Sequence, residues 1–136
     1  MLKLEHIGIA VKNLKDAEIR FEKLLNTKHY KSETVEDEGV TTSFFSAGET
    51  KIELLEAIDP ESHVSKFINK RGEGVHHLAF EVDDIHNEMR RLKKEGFELI
   101  GKGVKKGADN KLVCFLHPKS SHGVLVELCQ KIKTKP

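Results

Sequence analysis

Residues 4–11, LEHIGIAV, alternate in a way that suits an extended strand, in which successive side chains point to opposite faces. Glu5, Ile7, Ile9 and Val11 share one face; Leu4, His6, Gly8 and Ala10 share the other. The pattern returns 71 residues later in VHHLAFEV, residues 75–82, where His76, Leu78, Phe80 and Val82 oppose Val75, His77 and Ala79. His6 falls on His77, Val11 on Val82 and Leu14 on Ile85 when the two stretches are aligned. Apolar spacing then switches to the helical period in both copies. Ala17, Phe21, Leu24 and Leu25 form one stripe, and Ile85, Met89 and Leu92 the other, which Gly96 ends.

Short β-like runs follow each helix, broken by turn signals. These are EDEG (36–39) and AGET (47–50) in the first copy, KKGADN (105–110) and HPKSSHG (117–123) in the second. Each copy closes on a similar strand, KIELLE (51–56) and LVELCQ (125–130), which aligns Glu53 with Glu127. The chain thus reads as an internal duplication, with a module over about 3–58, a linker over about 59–73 and a module over about 74–131. The linker is expected to hold a short helix started by Pro60, with Val64, Phe67 and Ile68 as its apolar stripe.

The duplication assigns the doubled histidine. The bulky faces of the first and fifth strands should meet the covering helices, and the small residues Gly8, Ala10 and Ala79 should face a concavity. His6 and His77 point to that concavity, whereas His76 takes the position of Glu5 and is expected to be structural or to support a ligand from behind. Each module then carries a His on its first strand and a Glu on its last, 47 residues apart in one and 50 in the other. Two imidazoles and two carboxylates suit one divalent transition metal such as Co²⁺, Ni²⁺, Zn²⁺ or Mn²⁺, and the ligand list alone does not choose among them. No cysteine joins the set, which argues against a closed structural zinc site. Two open positions would let a substrate with two nearby oxygens chelate, and the ion would act as a Lewis acid for an enolate. Glu127 or Glu53 beside it is a candidate proton shuttle.

Composition narrows the setting. The chain has 136 residues, 38% of them hydrophobic and 33% charged, with a net charge of +1. This describes one ordinary globular domain with no electrostatic case for nucleic acid or an acidic membrane. The basic end KIKTKP reads as no more than a solvated end. No apolar run approaches the ~20 residues of a membrane span. The first strand carries Glu5 and His6 and lacks a cleavage site, so it is no signal peptide, and a cytoplasmic protein is expected. Cys114 and Cys129 sit in apolar runs and read as buried free thiols of a reducing compartment.

The stretches LEHIGIAVKNL, TKIELLEAIDPES, KFINKRGEGVHHLAFEVDDI and FLHPKSSHGVLVELCQ resemble the vicinal oxygen chelate superfamily, which includes glyoxalase I and ring-cleaving dioxygenases. Within it they are most similar to the methylmalonyl-CoA epimerases. The resemblance implies an α+β fold of two tandem βαβββ modules forming an open, cupped mixed sheet around a metal, a small acyl-CoA substrate and a homodimer. It implies His6, Glu53, His77 and Glu127 as ligands, the second being Gln in some epimerases and Glu in glyoxalase I. It implies α-proton abstraction through a metal-stabilised, enolate-like thioester, with a base on each face. Glu127 matches one base. The other, a Glu in some members, falls on Thr42, whose hydroxyl is a poor base. Glu53, a metal-bound water or a nearby carboxylate could replace it. In the family the HPKSSHG loop holds the substrate carboxylate, which makes Lys119 and Ser120, with Lys111, candidate substrate contacts. A glyoxalase I-type lyase is the alternative, though the linker before His77 is longer than that family usually has. A non-catalytic ligand-sequestering module would be expected to lack the four ligands.

Overall fold

The computed structural model describes residues 2–133; the last three residues of the basic tail, 134–136, lie outside them. The elements run β1 (Lys3–Ala10), α1 (Leu14–Leu25), β2 (Lys31–Val35), β3 (Val40–Ala47), β4 (Thr50–Ala57), α2 (His63–Arg71), β5 (Gly74–Glu81), α3 (Ile85–Lys94), β6 (Leu99–Gly107), β7 (Lys111–Leu116) and β8 (Val126–Lys131). The fold is α+β, and the βαβββ order occurs twice with α2 between the copies. Contacts divide the chain into two compact units. One is residues 6–76; the other joins the chain up to Glu5 with the residues from His77 onward. Among the described residues no helix is long and apolar enough to cross a membrane.

In the unit of residues 6–76 the strands lie in the order β2-β3-β4-β1, with β1 parallel to β4 and the other pairs antiparallel. The α1 stripe of Ala17, Phe21 and Leu25 packs on Val11, Leu14, Phe45 and Leu54. Leu24 does not join it and is 72% exposed, contrary to the expected stripe. The helical period does not account for this, since about 100° per residue places Leu24 within the stripe of Ala17 and Phe21. The linker helix forms as expected, but Ser62 rather than Pro60 starts it: Ser62 Oγ accepts the Ser65 amide at 3.1 Å. Its stripe of Val64, Phe67 and Ile68 packs on Ala10, Val40 and Leu55. Ala10 therefore does not face an open concavity; α2 covers it. Gly39, at φ +66°, lets the chain turn where an added Cβ would meet Asp59 and Ser62 at 3.0 Å.

In the other unit the order is β5-β8-β7-β6, with β5 parallel to β8 and the rest antiparallel. Ile85, Met89 and Leu92 of α3 pack with Val82, Cys114, Leu116 and Leu128. Gly96 ends the helix at φ +93°. Ala79 is closed in by Val113 and Cys129 rather than facing open space. The expected turn KKGADN is shorter than its sequence signal. Lys105, Lys106 and Gly107 pair with Val113, Leu112 and Lys111, leaving only Ala108–Asn110 to turn. Both cysteines are free and buried. Burial first, then the Glu127 charge, pushes the Cys114 thiol up to about 11 and that of Cys129 still higher.

Local hydrogen bonds repeat between the modules. Asn13 caps α1 by accepting the Asp16 amide at 3.0 Å, and Asp84 caps α3 by accepting the Asn87 amide at 3.1 Å. The last strand of each module reaches the same helix end. Leu14 N donates to Glu56 Oε1 at 2.7 Å, and Ile85 N to Gln130 Oε1 at 2.8 Å. Glu56 and Gln130 each stand three residues beyond the candidate ligands Glu53 and Glu127.

Candidate functional site

Strand register builds the same pair twice. In the first module Gly8 of β1 stands opposite Glu53 of the parallel strand β4. In the second, Ala79 of β5 stands opposite Glu127 of the parallel strand β8. Each Glu is thus beside the residue two past a His, and residues i and i+2 share a strand face. The small side chain at i+2 leaves room for the carboxylate to reach the imidazole. His6 Nε2 lies 3.4 Å from Glu53 Oε1, and His77 Nε2 lies 3.7 Å from Glu127 Oε1. All four residues are buried. Buried carboxylates and imidazoles are costly to desolvate and persist where they pair or bind a cation. His6, His77 and Glu127 each present a ligand atom of the kind that holds a metal ion. The donor set, imidazole nitrogen and carboxylate oxygen with no thiolate, fits a divalent ion of borderline softness.

The adjacent histidines separate as strand parity requires. His76 is half-buried and stacks edge-on against Phe67, ring centroids 5.0 Å apart. His77 meets Phe115 edge-on at 5.8 Å. Phe115 stands opposite Glu127 in the β7–β8 ladder, as Phe44 stands opposite Glu53 in β3–β4. This aromatic neighbour of the pair was not identified from the sequence, although the alternation in KLVCFL carries it.

Thr42 is buried, and its hydroxyl donates to the Glu33 carbonyl at 3.3 Å, so it offers no base. The HPKSSHG loop forms a 3-10 turn over Pro118–Ser121, with His117 Nδ1 accepting the Lys119 amide at 3.1 Å. Ser120 Oγ accepts the Glu98 amide at 3.0 Å, which pins the loop to the start of β6. Lys119 is exposed. Lys111 is buried, its ammonium 2.9 Å from Asp109 Oδ2 and 3.5 Å from Glu5 Oε1. A cleft of about 490 Å³ beside the N-terminal end of α1 is lined by Lys12, Asn13, Asp16, Arg20, Phe21 and Glu73 among others, and by none of the four candidate ligands.

The model of the Glyoxalase/Bleomycin resistance protein/Dioxygenase superfamily matches residues 5–115. The ethylmalonyl-CoA/methylmalonyl-CoA epimerase of Cereibacter sphaeroides is 39% identical over 94% of this chain and 97% of its own length. Among solved structures, a hypothetical protein of Bacillus halodurans is 41% identical with a TM-score of 0.93, over 99% of this chain and 98% of that one. The methylmalonyl-CoA epimerase of Mycobacterium tuberculosis is 32% identical with a TM-score of 0.90, over 96% of this chain and 88% of that one.

Proposed function

The chain belongs to the Glyoxalase/Bleomycin resistance protein/Dioxygenase superfamily, and on that premise we propose that it is a metal-dependent methylmalonyl-CoA epimerase. The observation that carries the reading is the buried His–Glu pair formed at equivalent positions of two modules. A single surface pair would be unremarkable; duplicated buried pairs inside near-full-length similarity to epimerases favour a shared task. We assign His6, Glu53, His77 and Glu127 as the ligand set of one divalent ion. When bound, that ion supplies Lewis-acid stabilisation of negative charge on the substrate oxygens.

The residues of the chain supply the proton transfers. The α-carbon of the substrate lies between a carboxylate and a thioester, both of which delocalise the electron pair left when its proton departs. Glu127 takes that proton from one face, and a second carboxylate returns one to the other. Thr42 cannot serve, because its hydroxyl is held by a backbone carbonyl and is a weak base near neutral pH. Glu53 is the proposed partner. We assign Lys119 and Ser120, on the turn over Pro118–Ser121 that bonds to Glu98, as contacts for the substrate carboxylate. A cytoplasmic homodimer completes the proposal. The glyoxalase I-type alternative has the same ligands but is not favoured, since the characterised relatives reported above are epimerases.

The test is metal-loaded protein incubated in heavy water with a single methylmalonyl-CoA epimer. The proposal expects racemisation with deuterium incorporated at the α-carbon. Retention of both configuration and the original hydrogen, alongside turnover of the glutathione–methylglyoxal hemithioacetal, would move the assignment to the lyase.

A further inference from the structure

Lys111 opens β7 at 3% exposure, and Glu5 is exposed by only 4%. The Lys111 ammonium contacts two carboxylates, Asp109 at 2.9 Å and Glu5 at 3.5 Å. Charged residues this deep are rare unless paired. A buried ion pair contributes little net stability, because desolvation offsets the attraction, and its best-attested use is fixing a register.

The backbone around it is shaped for the contact. Asp109 and Asn110 both take the left-handed conformation, at φ +59° and +54°. Asp and Asn enter that region more readily than other side chains, but two in succession still carry strain. The turn brings the Asp109 carboxylate to Lys111, and Ile132 N donates to the Asn110 carbonyl at 3.2 Å, closing the turn on the chain beyond β8.

Glu5 is grouped with the unit that carries His77 and Glu127, and the next residue along the chain is His6. We propose that the Glu5–Lys111–Asp109 triad is a positioning device for the metal centre, anchoring β1 one residue before its ligand. Lys111 is then a positioning residue and not a substrate contact. The inference rests on the ligand assignment of the preceding section, and it concerns the arrangement of the ligands rather than the substrate.

The experiment titrates Co²⁺ into metal-free protein and follows the visible absorption of the bound ion, with folding checked by circular dichroism and thermal melting. Wild type should take up Co²⁺. Lys111→Met should weaken the affinity at least about tenfold, the scale seen when groups orienting a metal ligand are removed. That variant removes the ammonium that both carboxylates contact and is the one at risk of unfolding. The double variant Glu5→Gln with Lys111→Met removes both partners of the pair, should melt within a few degrees of wild type, and should still bind Co²⁺ about tenfold more weakly. Asp109→Asn keeps a residue suited to positive φ and should show a smaller, two- to threefold loss. Wild-type affinity in the folded double variant or in Asp109→Asn would overturn the triad's role while leaving the ligand assignment intact. Failure of wild type itself to bind Co²⁺ would overturn both.

Discussion

The two modules share their register and differ in what surrounds it. Each places a Glu beside the residue two past its His, each sets a Phe opposite that Glu, and each sends a side chain three residues on to the N-terminus of its helix. Around this common frame the first module buries Ala10 under α2, whereas the second surrounds Ala79 with Val113 and Cys129 and adds the Lys111 charge cluster. The first module carries no cysteine and the second carries both. What recurs is the geometry that brings an imidazole to a carboxylate; what diverges is the packing around it. Duplication therefore picks out the pairings that both modules keep, without reference to any other sequence.

The comparison breaks first at the histidines. His77→Ala should reduce Co²⁺ affinity by more than about 100-fold, beyond the range for groups that only orient a ligand. His76→Ala should leave that affinity unchanged and lower the melting temperature through loss of the Phe67 contact. Equal effects of the two on metal binding would refute the assignment by strand face.

Smaller effects sharpen the contrast between shared and local features. Phe67→Ala, beneath which lie Ala10, Val40 and Leu55, should cost about 2–3 kcal/mol in urea denaturation, for a partly buried aromatic removed from a packed cluster. Glu56→Ala and Gln130→Ala strip equivalent acceptors from α1 and α3. Each should cost about 1 kcal/mol, with Glu56 the larger because its acceptor carries charge. Indistinguishable stability of either variant from wild type would remove that element from the shared frame.

The smallest effect belongs to the second module alone. Burial raises the Cys114 thiol from 9.0 to about 11. The folded state therefore holds a proton that the unfolded chain releases, so this contribution is fully present below pH 9 and is lost as pH rises toward 11. Chemical denaturation across that range should show a steeper alkaline decline for wild type than for Cys114→Ala, with no difference from this source at pH 7. Parallel declines would count against the buried thiol.

Much of this was legible because the duplication doubles every signal. Strand alternation around His6 and His77 fixed their faces, and the aligned Glu53 and Glu127 named their partners. Periodicity places the helices but does not show which residues of a stripe find a partner, so Leu24 reads as buried and is exposed. Apolar spacing marks the linker as helical, yet the Ser62 hydroxyl, a local capping interaction, sets its start rather than Pro60. Small residues on a strand face signal close approach as readily as open space, and at Ala10 the occupant is α2. The Glu5–Lys111 pair was beyond reach, because 106 residues separate the partners in the chain and only the fold joins them.

The proposed ligand set takes one His and one Glu from each module. Equilibrium dialysis of metal-free protein against Co²⁺, with wild type, His6→Ala and His77→Ala in parallel, measures it directly. One ion should bind per wild-type chain and should be lost in both variants. Two independent ions per chain, or one ion retained at wild-type affinity in either variant, would contradict it.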